Sequence, residues 1–98
     1  MRSVKVESAQ RIIVTVLGRD RVGIIAGVAG VLAENNANIL DISQTILQEF
    51  LAMIMIADIS RCTVDLGTLK ARLAEKGREL GVRIDAQHED AFVYMHRI

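Results

Sequence analysis

From residue 11 onward the chain switches between two kinds of pattern. Ile12-Ile13-Val14-Thr15-Val16-Leu17 is a β-branched run, apolar at nearly every position, that stops at Gly18. Such a run fits a strand buried on both faces. Gly18-Arg19-Asp20-Arg21 is a polar turn, after which Val22, Ile25, Ala26, Ala29, Leu32 and Ala33 recur at helical spacing. Asp20 is the expected cap of this helix, accepting from its first free amides. Glu34-Asn35-Asn36-Ala37-Asn38 closes it, because Asn tolerates the left-handed backbone that ends helices. Residues 39–47 alternate, with Leu40, Ile42 and Ile46 facing one way and Asp41, Ser43 and Thr45 the other, as in a half-exposed strand. Gln48-Glu49 leads into Phe50-Leu51-Ala52-Met53-Ile54-Met55-Ile56-Ala57, apolar on both faces, so the two runs form a hairpin. After a loop at Ser60-Arg61-Cys62-Thr63, Leu66, Leu69, Leu73 and Leu80 make one stripe with Lys70, Arg72, Glu75 and Arg78 off it, predicting a one-sided helix. Gly81 ends it, and 82–87 alternate like another edge strand.

The order strand, helix, strand, strand, helix, strand predicts an α+β ferredoxin-like βαββαβ sandwich: a four-stranded antiparallel sheet with two helices on one face. In that topology the first and third strands are central, and those are the two runs that are apolar on both sides. The sheet face without helices should then be polar, yet on the first strand Thr15 stands almost alone. We therefore expect Leu51, Met53 and Met55 on the solvent side of the third strand, with a cover over them. The cover is either the tail, through Phe92, Met95 and Ile98, or another subunit. The unpaired second strand is a further reason to expect a homo-oligomer, at least a dimer. With 98 residues there is room for one domain: 1–10 as a polar N-terminal extension, 11–88 as the domain and 89–98 as a C-terminal tail packing on it.

Composition narrows the function classes. Phe50, Phe92 and Tyr94 are the whole aromatic content, so the core is aliphatic and nucleobases have little to stack on. Twelve basic residues balance twelve acidic ones, which removes the usual attraction to nucleic acid or to a membrane surface. Neither is an expected partner. A lone Cys62 supplies neither an intrachain disulfide nor a CxxC motif, which fits a reducing, cytoplasmic compartment. Met1-Arg2-Ser3-Val4-Lys5-Val6-Glu7 carries charges where a secretory signal needs an apolar stretch, and no run approaches ~18 apolar residues.

Several chemistries of this topology can be checked against the residues. Iron-sulfur or heavy-metal binding needs clustered cysteines. RNA recognition needs aromatics on the central strands, where Met53 and Met55 stand instead. His88, Glu89, Asp90 and His96 match no standard ligand spacing, and Cys62 beside Arg61 has no His near it in sequence. No metal or cofactor is expected. Acyl-phosphate hydrolysis needs an anion cradle with an Arg and an Asn to place water. Arg19, Arg21 and Gly23 do sit at a helix N-terminus. Gly23, Gly27 and Gly30 share one helical stripe, which allows close backbone packing or, at Gly23, room for a ligand.

The stretch Gly18-Arg19-Asp20-Arg21-Val22-Gly23-Ile24-Ile25-Ala26-Gly27, followed by Asn38-Ile39-Leu40-Asp41-Ile42, resembles the ACT domain family over about residues 11–88. The ending Phe92-Val93-Tyr94-Met95-His96-Arg97-Ile98 is similar to the tails of small stand-alone ACT proteins of prokaryotes. The resemblance implies a non-catalytic regulatory or sensor module that binds an amino acid or similar small metabolite at a homodimer interface, including in trans on a regulated enzyme. It implies pairing through the second strands, with Asp20, Arg21, Gly23 and Ile24 of one chain facing Asn38 and Ile39 of the other. Val22 stands where many members carry Pro, which leaves the ligand class open. Two alternatives remain: an acylphosphatase-like hydrolase using Arg21 and Asn38, and a purely structural dimerisation module.

Overall fold

The β-branched run forms strand β1 (Arg11–Arg19) in the computed structural model, which describes residues 10–95. It is followed by α1 (Ile24–Glu34), β2 (Asn38–Leu47), β3 (Phe50–Asp58), α2 (Leu66–Leu80), β4 (Val82–His88) and a seven-residue α3 (Glu89–Met95). The strands pair antiparallel in the order β2-β3-β1-β4, so the two runs apolar at both parities are the central ones. This is the ferredoxin-like α+β sandwich, with α3 as an element beyond the six that the periodicity predicts.

Register decides which half of each central strand is core. Val14 is opposite Met55 and Ala86, and Val16 is opposite Met53 and Ile84. These residues join Ile24, Val28 and Leu32 of α1 and Leu69 and Leu73 of α2 in one buried cluster. Leu51, Met53 and Met55 therefore face the helices, which corrects the expectation that they lie on the solvent side. Both parities of β3 are apolar, so periodicity has no means of choosing between them; pairing with β1 and the positions of the helices make the choice. The open face carries Ile13, Thr15 and Leu17 of β1 with Ala52 and Ile54 of β3. Leu17 and Ile54 remain 51% and 45% exposed there. Phe92 and Met95 of α3 border a groove over this face, and an Arg11–Glu89 ion pair of 2.8 Å holds the start of α3 beside β1. Ile98 lies outside the described residues.

The first helix begins later than its apolar spacing suggests. Gly23 adopts φ 96°, a left-handed conformation costly for any other residue, and α1 starts at Ile24. Val22, read as helical, is 99% exposed at the tip of the turn. Asp20 does not cap α1, which has no side-chain cap at all; the Asp20 N–H instead donates to the Glu49 carbonyl (2.7 Å) and ties the turn to the β2–β3 hairpin. The helix that is capped is α2, where Asp65 accepts from the Thr68 N–H (2.8 Å) and Gly81 closes the C-terminus at φ 75°.

At the end of α1, Asn36 takes the left-handed conformation at φ 62°. Asn35 is 1% exposed and fully partnered: its amide donates to the Val31 carbonyl (2.7 Å), its Oδ1 accepts from Arg72, and its carbonyl accepts from the Thr63 N–H (3.0 Å). One buried residue thus joins the end of α1 to α2 through its side chain and to the loop before α2 through its backbone carbonyl. The glycine stripe separates by role. A Cβ at Gly27 would stand 2.9 Å from the Leu80 side chain, whereas none of the surroundings comes within 4 Å at Gly30.

Candidate functional site

The six residues singled out by the turn and Asn-Ile motifs fall at opposite ends of the sheet. Asp20, Arg21, Gly23 and Ile24 come together around an open hollow of about 180 Å³. Gln44 and Ile46 of β2 and Leu51 of β3 line its opposite side. The first amides of α1 open onto this turn with no side-chain cap, and a helix N-terminus in that state favours an anionic group. Arg21 is committed elsewhere in part, since its guanidinium donates to the Leu80 carbonyl at the end of α2 (3.1 Å). The hollow alone is smaller than the ~300 Å³ at which small-molecule pockets begin.

Asn38 sits at the other end of β2, where it pairs with Asp58 at the end of β3. It borders a second, polar hollow of about 490 Å³ with Asn36, Asp58, Ser60 and Arg61. Ile39, beside it, is half-buried against the core. The Asp58 carboxyl is held below its ordinary value of 3.8, first by the hydrogen bond from the Ser60 N–H (2.9 Å) and then by the Ser60 hydroxyl, with Arg61 adding a smaller attraction. Asn36 donates to the Arg61 carbonyl (2.9 Å), which fixes the loop that presents this cluster.

Between Asn38 and Leu47, β2 runs the full length of the sheet, roughly 30 Å at about 3.3 Å per residue. A single chain therefore does not bring Asn38 and Ile39 to Asp20, Arg21, Gly23 and Ile24. Nor can Arg21 and Asn38 of one chain hold the same acyl phosphate, which removes the intrachain geometry that the hydrolase reading requires. Among the described residues, no three His, Cys, Asp or Glu side chains converge as metal ligands. Glu89 is paired with Arg11, His88 Nδ1 accepts from the Asp90 N–H (3.3 Å), and His96 lies outside the described residues.

Sequence reasoning missed Gln44 and the Asn36–Asp58–Arg61 cluster. A signal existed for Gln44. A bulge between Ile39 and Asp41 leaves Ile42, Gln44 and Ile46 on the helix side of β2, opposite Met55, Met53 and Leu51, so Gln44 is the polar residue in an otherwise apolar row. Nothing local distinguishes Asp58 or Arg61, which are brought to Asn38 only by the β2–β3 pairing.

This arrangement of an uncapped helix after a left-handed Gly, with an Asn opening the edge strand, coincides with a family match over residues 10–87. The chain belongs to the ACT domain family. It is 61% identical over 88 residues to a UPF0237 protein of Methanocaldococcus jannaschii, an alignment covering 90% of this chain and 98% of that one. A UPF0237 protein of Clostridium acetobutylicum is 54% identical over 86 residues, covering 88% and 97%. Among solved structures, an ACT domain protein from Streptococcus pneumoniae superposes with a TM-score of 0.75 at 39% identity, covering 86% of this chain and 94% of that one. ACT domains are typically regulatory, ligand-binding modules. In this ACT domain no described helix is long and apolar enough to cross a membrane.

Proposed function

We propose that this ACT domain is a non-catalytic sensor that binds an amino acid or similar small metabolite between two copies of the chain, acting in the cytoplasm on an enzyme in trans. The observation that carries this reading is the division of the site between the two ends of an exposed edge strand. No residue of β2 is buried, and Leu40, Ile42, Ile46 and Leu47 are exposed along it. Such an edge has unpaired backbone groups on one side and favours pairing with a twin. Antiparallel pairing about a two-fold axis sets Asn38 of one copy beside the Leu47 end of the other, where the Gly23 turn lies. Two incomplete hollows then meet. The free amides of α1 suit a carboxylate, and Asp20 of one copy with Asp58 of the other suits an ammonium. Asn38 can donate and accept, as a zwitterion requires.

The test is a thermal-shift screen of the full chain against the proteinogenic amino acids, combined with light scattering. A ligand at 100 times its Kd stabilises by about 2.7 kcal/mol. Gly23→Asp should abolish that shift because it places a carboxylate at the anion cradle, whereas Gly23→Asn, which bears the same left-handed backbone cost at φ 96° without the charge, should retain part of it. Unchanged affinity in Gly23→Asp removes this site. A dimer that no amino acid stabilises favours the structural dimerisation module instead.

A further inference from the structure

A further, mainly apolar hollow among the described residues is neither of the two at the ends of β2. It lies between α3 and the open face of the sheet, with a volume of about 450 Å³, inside the range of small-molecule pockets. Its floor is Ile13, Leu17, Ala52 and Ile54, and Phe92 and Met95 of α3 form its roof. One wall differs: Thr15 and the β4 residues Asp85 and Gln87 bring polar atoms to it.

Two features of that wall set the chemistry of an occupant. Gln87 Oε1 is buried and has no hydrogen-bond partner. A buried amide oxygen without a donor is destabilising, so the groove is short of one N–H or O–H. Among the described residues Asp85 is the sole formally charged one lining it, and its Oδ2 accepts from Arg83 Nε (3.0 Å). Among the described residues no cation lines the groove, so a carboxylate or phosphate would be desolvated there without a counter-charge from them. Asp85 and Gln87 occupy one face of β4 two residues apart, roughly 7 Å.

We propose that this groove is a second binding site, separate from the turn of Gly23, for a small apolar amine whose hydrocarbon body lies on Ile13, Ala52 and Ile54 and whose N–H donates to Gln87 Oε1. The amine charge faces the Asp85 carboxylate, and the lining discriminates against free amino acids because none of its described residues answers their carboxylate.

The experiment is an NMR titration of the full chain with phenethylamine, using 3-phenylpropionate as the anionic counterpart of similar size. Phenethylamine should shift the methyl signals of Ile13, Ile54 and Met95, and 3-phenylpropionate should bind at least tenfold more weakly. Gln87→Leu removes the acceptor at similar bulk; it should keep or raise the Tm and weaken the amine about tenfold. The proposal is overturned if phenethylamine leaves those methyls unmoved, if the anion binds equally well, or if Gln87→Leu binds undiminished. It is also overturned if binding emerges only after removal of residues 1–9 or only on dilution to monomer, since the occupant is then the chain itself or a second copy. The metabolite site is read by other signals, those of Gly23 and Asn38, so failure of one reading leaves the other standing.

Discussion

Replacing Gly77 by Ala and Gly30 by Ala makes the same chemical change in two helices and should have opposite signs. A Cβ on Gly77 would stand 2.7 Å from the Val82 carbonyl oxygen and 3.2 Å from Ile84 Cγ1. The first obstacle is backbone, at the point where α2 turns into β4, so a rotamer change does not relieve it. Gly→Ala in a helix interior gains about 1 kcal/mol. Overpacking costs about 1–3 kcal/mol, and an immovable neighbour puts this site at the upper end. The net loss is about 1–2 kcal/mol, with each kcal/mol lowering Tm by about 4–8 °C in a domain of this size. At Gly30 nothing lies within 4 Å of the added carbon, so the propensity gain of up to about 1 kcal/mol stands alone. Gly27→Ala falls between them, because it meets only the end of the flexible Leu80 side chain. Urea and thermal denaturation followed by circular dichroism, at matched protein concentration, measures all three. A Gly77→Ala chain as stable as the parent refutes the packing argument at the α2–β4 junction.

Asn35→Ala should destabilise by about 2–3 kcal/mol in the same assay, because it strips a partner from the Arg72 guanidinium and the second donor from the Val31 carbonyl; a loss under about 0.5 kcal/mol would show that water replaces the side chain. Light scattering at micromolar concentration should report at least twice the 10.8 kDa chain mass, and Ile46→Lys on the β2 edge should shift it toward monomer; a parent mass of 10.8 kDa excludes the paired site. Asp58 and Asp65 both titrate below the ordinary 3.8, Asp58 chiefly through the Ser60 N–H and Asp65 through the Thr68 hydroxyl and N–H. A carboxyl whose pKa is lower folded than unfolded stabilises above 3.8 and loses that contribution as pH falls through the lowered value, so Tm should drop below about pH 4. Asp65→Asn should flatten part of that drop, and an unchanged acid limb would show that other carboxyls govern it.

Much of this ACT domain was legible in one dimension because strands and helices carry different periods. The β-branched run of β1, the leucine stripe of α2 and the two-residue connection at Gln48-Glu49 predict their elements from spacing alone. The order of those elements then predicts the sheet, and the double apolarity of β1 and β3 predicts which strands are central. The start of α1 was misplaced for a local reason: Val22 fits the helical spacing, but the left-handed backbone at Gly23 breaks the helix before it. Asp20, a sound cap by residue type, is three residues too early to serve.

What the tertiary structure alone decided are the choices that periodicity leaves degenerate. A strand with Leu51, Met53 and Met55 on one side and Ala52, Ile54 and Ile56 on the other has no preferred face until Val14 and Val16 pair with it and two helices cover one side. The candidate site is of the same kind. The Gly23 turn and Asn38 each announce themselves by residue type, but a strand of fixed rise separates them, and Asp58 and Arg61 reach Asn38 only through strand pairing. Local sequence determines the elements because backbone dihedrals and side-chain period are local; the choice of face and the neighbours of Asn38 depend on contacts between residues far apart in the chain, which three-dimensional packing alone settles.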